Sequence, residues 1–198
     1  MLSKGDKTKQ FIIEKSAPIF NRKGYAATSM ADILEATGLA KGGIYGNFSS
    51  KDEIAVEAFE YSYNKLKEEL RFKIRQQSTA RAKLTAILDF YRNYSVKPHI
   101  EGGCPLLNTA VDADDNIPFL KEKAKAALEE MLDSLRYLIQ RGIDNKEFRK
   151  DMDAAREADL FFAKIEGAIM ISKLRDHPRT LNRILDDMKT ELNGWTRQ

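Results

Sequence analysis

Cysteine is nearly absent. The one thiol, Cys104, excludes an intramolecular disulfide. Histidine is almost as scarce, and His99 and His177 stand too far apart in sequence to suggest a structural metal site, so neither metal nor cofactor is expected. No apolar run approaches the roughly 20 residues that span a bilayer, and the opening M-L-S-K-G-D-K-T-K lacks the apolar stretch of a secretory leader. A cytoplasmic protein without a membrane partner is the expectation. Strand-period alternation and internal repeats are also missing, which leaves an all-α chain of about nine helices. No acid, base or nucleophile constellation sits in a recognisable motif, which argues against an enzyme.

Charge is present and unevenly placed. Up to Lys51 there are 8 Lys/Arg against 4 acids, whereas the remainder carries 25 against 26. A basic N-terminal quarter on a near-neutral body suits a phosphate-binding head, although a charge of this size also fits a merely solvated face. The 42% hydrophobic fraction is sufficient for a core.

The informative stretch runs from Thr28 to Lys51, T-S-M-A-D-I-L-E-A-T-G-L-A-K-G-G-I-Y-G-N-F-S-S-K. Ser29 and Asp32 have capping-box spacing, Met30, Ile33 and Leu34 form an inner face, and Gly38 stands where a left-handed residue stops a helix. Leu39 and Ile44 anchor a second helix over Leu39 to Asn47. Two short helices joined by a glycine turn describe a helix-turn-helix, whose second helix enters the major groove of DNA. The same spacing also fits an ordinary helical hairpin.

Upstream, Asp6 to Lys23 reads as a first helix with Ile13, Ala17 and Phe20 on one face. Pro18 predicts a kink or restart there, with Ser16 as a cap, and Tyr25 packs back after Gly24. Downstream, the periodicity predicts helices from Lys51 to about Ile74, from Thr79 to before Pro98, across Leu106 to Ala113, and from Phe119 to Ile143. Two more follow, from Asp153 to His177 and from Arg179 to Trp195. The first of these is apolar nearly all round, which predicts burial against its own body on one side and against something else on the other.

Ile44-Tyr45, Phe48 and Lys51, with Gly24-Tyr25 and Thr28-Ser29, make the chain resemble the TetR family of bacterial regulators. The resemblance is dense from Phe11 to Ala58 and rests on layout and length beyond that. It implies a DNA-binding domain over residues 1–50, a linking helix over 51–74, and a ligand-binding and dimerisation domain over 51–198. Family positions that hold phosphates fall on Thr28, Ser29, Tyr45, Asn47 and Lys51. Phosphate contacts of this kind fix register rather than sequence. Lys41 has two readings, a guanine contact through O6 and N7 or a phosphate contact. Gly42, Gly43 and Gly46 leave few side chains to touch DNA. Relatives more often carry Ser or Thr at the place of Gly43 and His or Tyr at that of Gly46, so close approach of bare backbone at Gly42 and Gly43 is the expected substitute. Tyr45 alternatively packs its ring with the hydroxyl toward water, and Phe48 belongs to the core.

The resemblance further implies a cavity for a largely apolar small molecule, with Tyr91, Tyr94, Leu107, Asn108, Met131 and Phe162 as lining; the same residues also read as plain core. Asn108 stands out because a buried amide needs partners that a ligand can supply. Cys104 is either a redox or electrophile sensor at a helix start or a small buried residue. A symmetric homodimer is expected through the last two helices, with Phe161, Ile165, Ala168, Ile169, Ser172 and Leu174 at the seam and Ile184 and Met188 flanking. The functional expectation is a repressor released from a palindromic double-stranded operator by a small molecule; the rivals are a thiol sensor using Cys104, a helical enzyme or a protein-binding adaptor.

Overall fold

A computed structural model of the protein describes residues 3–196. Among the described residues there are nine helices and no strand: α1 Lys4–Lys23, α2 Met30–Thr37, α3 Lys41–Tyr45, α4 Lys51–Arg75, α5 Ala80–Phe90, α6 Pro105–Ala113, α7 Pro118–Asp144, α8 Ala154–Leu174 and α9 Arg179–Gly194. The chain forms two compact units, one built from residues up to Leu66 together with Ile100–Ala127, the other from Lys67–His99 and Leu128 onward.

In the first unit, Ile12 and Ile13 of α1, Ile33 of α2, Ile44 of α3, Ile54 of α4 and Phe48 from the segment between α3 and α4 form one buried cluster, with Met30, Leu34 and Leu39 against it. Ile13, Met30, Ile33, Leu34 and Ile54 are among the apolar positions that the 3.6-residue period placed on inner faces, and Ile12 joins them. The expected break at Pro18 does not occur. α1 runs unbroken through it and begins earlier, at a capping box in which Ser3 accepts from the Asp6 N–H and the Asp6 carboxylate accepts from that of Ser3. Proline deprives the carbonyl four residues back of its donor, and here that residue is Glu14, which is exposed to water. Ser16 is buried within the helix and caps nothing.

In the second unit, α9 packs against α8 and α5. The start of α5 is capped twice, by the Thr79 hydroxyl at the Ala82 N–H and by the Glu147 carboxylate at those of Ala80 and Arg81. Gly142 is required by its surroundings, because a Cβ there would lie 2.2 Å from the Phe148 ring. α5 ends at Phe90 rather than continuing through Tyr94. Asn93 adopts a positive φ of 61° and exchanges two hydrogen bonds with Asn182 of α9, an arrangement incompatible with a continuing helix.

Candidate nucleic-acid interface

The N-terminal head is a short hairpin with each local joint satisfied. Ser29 caps α2 in a full capping box with Asp32, and Gly38 closes it at φ 66° in the left-handed region. The Asp32 carboxyl is held well below the usual carboxylate range, first by the Lys23 ammonium at 2.6 Å and then by the Ser29 hydroxyl and N–H. After the turn, α3 is only five residues long, Lys41 to Tyr45. Ile44 turns inward and is fully buried, which leaves Lys41, Gly42 and Tyr45 facing outward, Tyr45 at 54% exposure. A Cβ on Gly42 would meet nothing within 4 Å, so this part of the helix is bare on its open side. Gly46 caps the helix, and just beyond it the Asn47 amide donates to the Gly43 carbonyl at 2.8 Å.

Two other DNA candidates carry structural duties. Thr28 is wholly buried and its hydroxyl donates to the Gly24 carbonyl at 2.6 Å, so its side chain shapes the turn before α2 instead of offering itself to a phosphate. Lys51 directs its ammonium to the Tyr25 and Thr28 carbonyls, both at 3.0 Å, and lies 4.0 Å from the centre of the Tyr25 ring. Tyr25 was legible only as a packing residue, yet it joins four elements. It stacks on Phe20, meets Phe119 edge-on, donates its hydroxyl to Asp52 and its N–H to Asp112 at 2.6 Å. Burial, then the Asp52 carboxylate, pushes its phenol up to about 12.

Residues 12–58 match the family model for bacterial regulatory proteins of the tetR family, and residues 80–188 match that for the tetracyclin repressor-like C-terminal domain. A TetR-family regulator from Cytophaga hutchinsonii has a solved structure that is 38% identical, covers 100% of this chain and 99% of its own, and superposes with a TM-score of 0.95. One from Chloroflexus aurantiacus is 36% identical with 97% of each chain covered and a TM-score of 0.92. Among curated proteins, the repressor DhaR of Mycobacterium sp. is 21% identical over 89% of this chain and 88% of its own.

The chain belongs to the TetR family. It is a DNA-binding transcriptional regulator, not an enzyme, and the hairpin just described is its helix-turn-helix.

For a TetR-family protein the remaining candidates concern effector and dimer. Cys104, Leu107 and Asn108 lie in the first unit, and Tyr91, Tyr94, Met131 and Phe162 in the second. Asn108 is half-buried, and the protein supplies partners for its NH2 group: it donates to the Asn21 carbonyl at 2.9 Å, the Asn21 Oδ1 at 3.1 Å and the Gly102 carbonyl at 3.0 Å. Cys104 is buried at the start of α6, where its Sγ accepts weakly from the Leu107 N–H at 3.5 Å. Tyr91 and Tyr94 are buried beside Phe90, with ring centres 5.2 Å apart for Phe90 and Tyr91 and 5.3 Å for the tyrosine pair. Phe162 is buried and Met131 half-buried. A crevice between α1, α4, α6 and the start of α7, lined by Phe20, Tyr25, Ser62 and Asp112 among others, measures ≈ 20 Å³, enough for about one water.

The seam expected on α8 needs correction. Phe161, Ile165, Ala168 and Ile169 are all at most 3% exposed within a single protomer, and so is Met188 of α9. They face the protomer's own interior. Ser172 is also buried, its hydroxyl accepting from the Leu181 N–H at 2.7 Å to hold the start of α9. Ile184 is half-buried, and Leu174, at 80% exposure, is the one seam candidate that stands fully in the open. The outward apolar face of α8 is instead Leu160, Ala163, Gly167, Met170 and Leu174, spaced by three, four, three and four residues. These residues lie on the face of α8 turned away from the core of its own protomer.

Proposed function

We propose that this TetR-family regulator is a repressor that binds a palindromic operator as a homodimer and leaves it when a small, largely apolar molecule binds. The observation that carries the DNA half is the reading helix itself: braced by Ile44 from beneath, it leaves Lys41, bare Gly42 and Tyr45 on its open side. Lys41 stands at the first position of α3, where reading helices reach base edges, and we assign it the guanine contact; exposed Tyr45 offers a hydroxyl to a phosphate, while Lys51 contributes positive charge beside the hairpin and acts chiefly by holding the Tyr25 and Thr28 carbonyls in place. A solved TetR-family regulator of the same fold, CifR, 18% identical with a TM-score of 0.82, is held on a 26-bp double-strand operator.

The effector half rests on the apolar, aromatic second unit around Tyr91 and Tyr94, with Met131 and Phe162 as further candidates. In support, FadR of Bacillus subtilis, a regulator of the same fold, 20% identical with a TM-score of 0.74, has been solved with stearoyl-CoA, a ligand that joins a long apolar chain to a charged nucleotide. The thiol-sensor reading has one observation in its favour, the placement of Cys104 at a helix start, and one against it, its burial.

The test begins with enrichment of duplexes from a random-sequence library by the full chain. A twofold-symmetric consensus is expected. Lys41→Ala should then relax preference at one position per half-site, at a cost of about 1–3 kcal/mol, while Tyr45→Phe weakens binding to all sequences alike. A set of fatty acyl and other apolar compounds should contain one that both raises the melting temperature and releases the enriched duplex. An asymmetric consensus, or stabilising compounds that never alter duplex affinity, would refute the corresponding half. Release by oxidant that Cys104→Ser abolishes would favour the sensor.

A further inference from the structure

The C-terminal end of α1 is joined to the segment before and within α6 by a buried polar clasp. Asn21 is 8% exposed, and its amide donates to the Glu101 carbonyl at 2.7 Å and to the Gly103 carbonyl at 2.9 Å. Its Oδ1 and its backbone carbonyl both accept from the Asn108 amide, which also reaches the Gly102 carbonyl. Every polar atom of the Asn21 side chain is thereby engaged. Close approach is built in from both sides. A Cβ on Gly102, at φ 97°, would lie 2.8 Å from the Asn21 carbonyl oxygen, and one on Gly24, at φ 79°, would lie 2.7 Å from the Asp112 carboxylate of α6. Asp112 in turn accepts from the Tyr25 N–H.

An apolar contact at this joint would tolerate sliding, because dispersion has little directionality. Paired amides do not: a shift of an ångström or two breaks several bonds at once and leaves buried groups unsatisfied. α1 is also the brace of the head, since Ile12 and Ile13 share one cluster with Ile33 of α2 and Ile44 of α3. A fixed end of α1 therefore means a fixed α3 with respect to α6.

We propose that Asn21 and Asn108 are positioning residues for operator recognition, holding the reading helix at one orientation on α6. This rests on the two-half-site reading above. A symmetric operator demands two heads at a set separation and angle, whereas sequence-independent binding asks only for positive charge near phosphates. A head that can pivot on α6 should lose the first and keep the second.

The experiment uses the full chain, the duplex enriched by the wild type, and a random duplex of equal length. Asn108→Leu and Asn21→Leu preserve side-chain size and remove the amides. Each is expected to lower affinity for the enriched duplex by roughly tenfold or more, while affinity for the random duplex and its salt slope stay as in the wild type. Measurements are made well below the melting midpoint, and Asn108→Ala, which relieves any crowding by the leucine branch, is expected to behave alike. Unchanged affinity for the enriched duplex would overturn the proposal, and so would parallel loss on both duplexes, which marks general damage to the head. A wild type that enriches no symmetric duplex would overturn the two-half-site reading beneath it; a wild type that does so while the variants match it overturns the clasp alone.

Discussion

Tyr25 shows how much a single side chain can join. Its ring carries the Lys51 ammonium on one face, its hydroxyl meets Asp52, and its N–H meets Asp112. Because burial and the neighbouring carboxylate favour the neutral phenol, the folded head binds that proton more tightly than the unfolded chain does. The stabilisation is fully present below pH 10 and is lost as pH rises toward about 12. The wild type should therefore lose denaturant resistance across that window more steeply than Tyr25→Phe, and equal slopes for the two would show that the phenol is not the titrating group. Asp32 has the opposite sign: its depressed carboxyl contributes stability above the ordinary carboxylate range, and that contribution is lost as pH falls. Ser29, Asp32 and Gly38 were legible in the sequence because a cap is made among residues three or four apart. The Tyr25 hub was not, since Asp52, Asp112 and Phe119 reach it from distant elements. Asn21 did leave a signal, a polar residue four positions after Ala17 on an otherwise apolar stripe.

Among the elements, α2 matches its sequence reading at both ends, whereas α3 is shorter than the nine residues expected. Gly42 and Gly43 contribute little to propagation, and just beyond the Gly46 cap the Asn47 amide takes the Gly43 carbonyl. Gly42 has ordinary negative φ and open space where a Cβ would stand, so the fold has no need of glycine there. Gly42→Ala is accordingly expected to stabilise the protein by roughly 0.5–1 kcal/mol, read as a melting temperature raised by a few degrees. A lowered melting temperature would show that helix propensity does not govern this position. α5 illustrates the reverse difficulty. Its apolar period continues through Tyr91 and Tyr94, and only the Asn93 and Asn182 exchange, 89 residues apart in sequence, ends the helix early.

At the scale of the whole molecule, α8 marks the limit of periodicity. A helix that is apolar nearly all round shows its breadth in sequence but not which face its own protomer covers, and Phe161, Ile165 and Ile169 lie on the covered one. The outer stripe offers Leu160, Met170 and the highly exposed Leu174, with Ala163 and Gly167 between them, and a Cβ on Gly167 would meet nothing of its own chain within 4 Å. A twofold interface pairs one patch with itself, so antiparallel α8 helices would set Gly167 near the axis and let the backbones approach closely. On this reading the two faces answer differently to the same substitution. Ile169→Glu places an unpaired carboxylate in the protomer interior at a cost of about 3–5 kcal/mol, and should lower the melting temperature steeply. Met170→Glu should leave the protomer fold intact, because that side chain is 48% exposed, but in the proposed dimer it would set like charges against each other across the twofold axis. Sedimentation should then find a folded monomer for Met170→Glu, with affinity for the enriched symmetric duplex lost and affinity for random duplex retained. A Met170→Glu protein that sediments as a dimer would place the interface elsewhere than on this stripe.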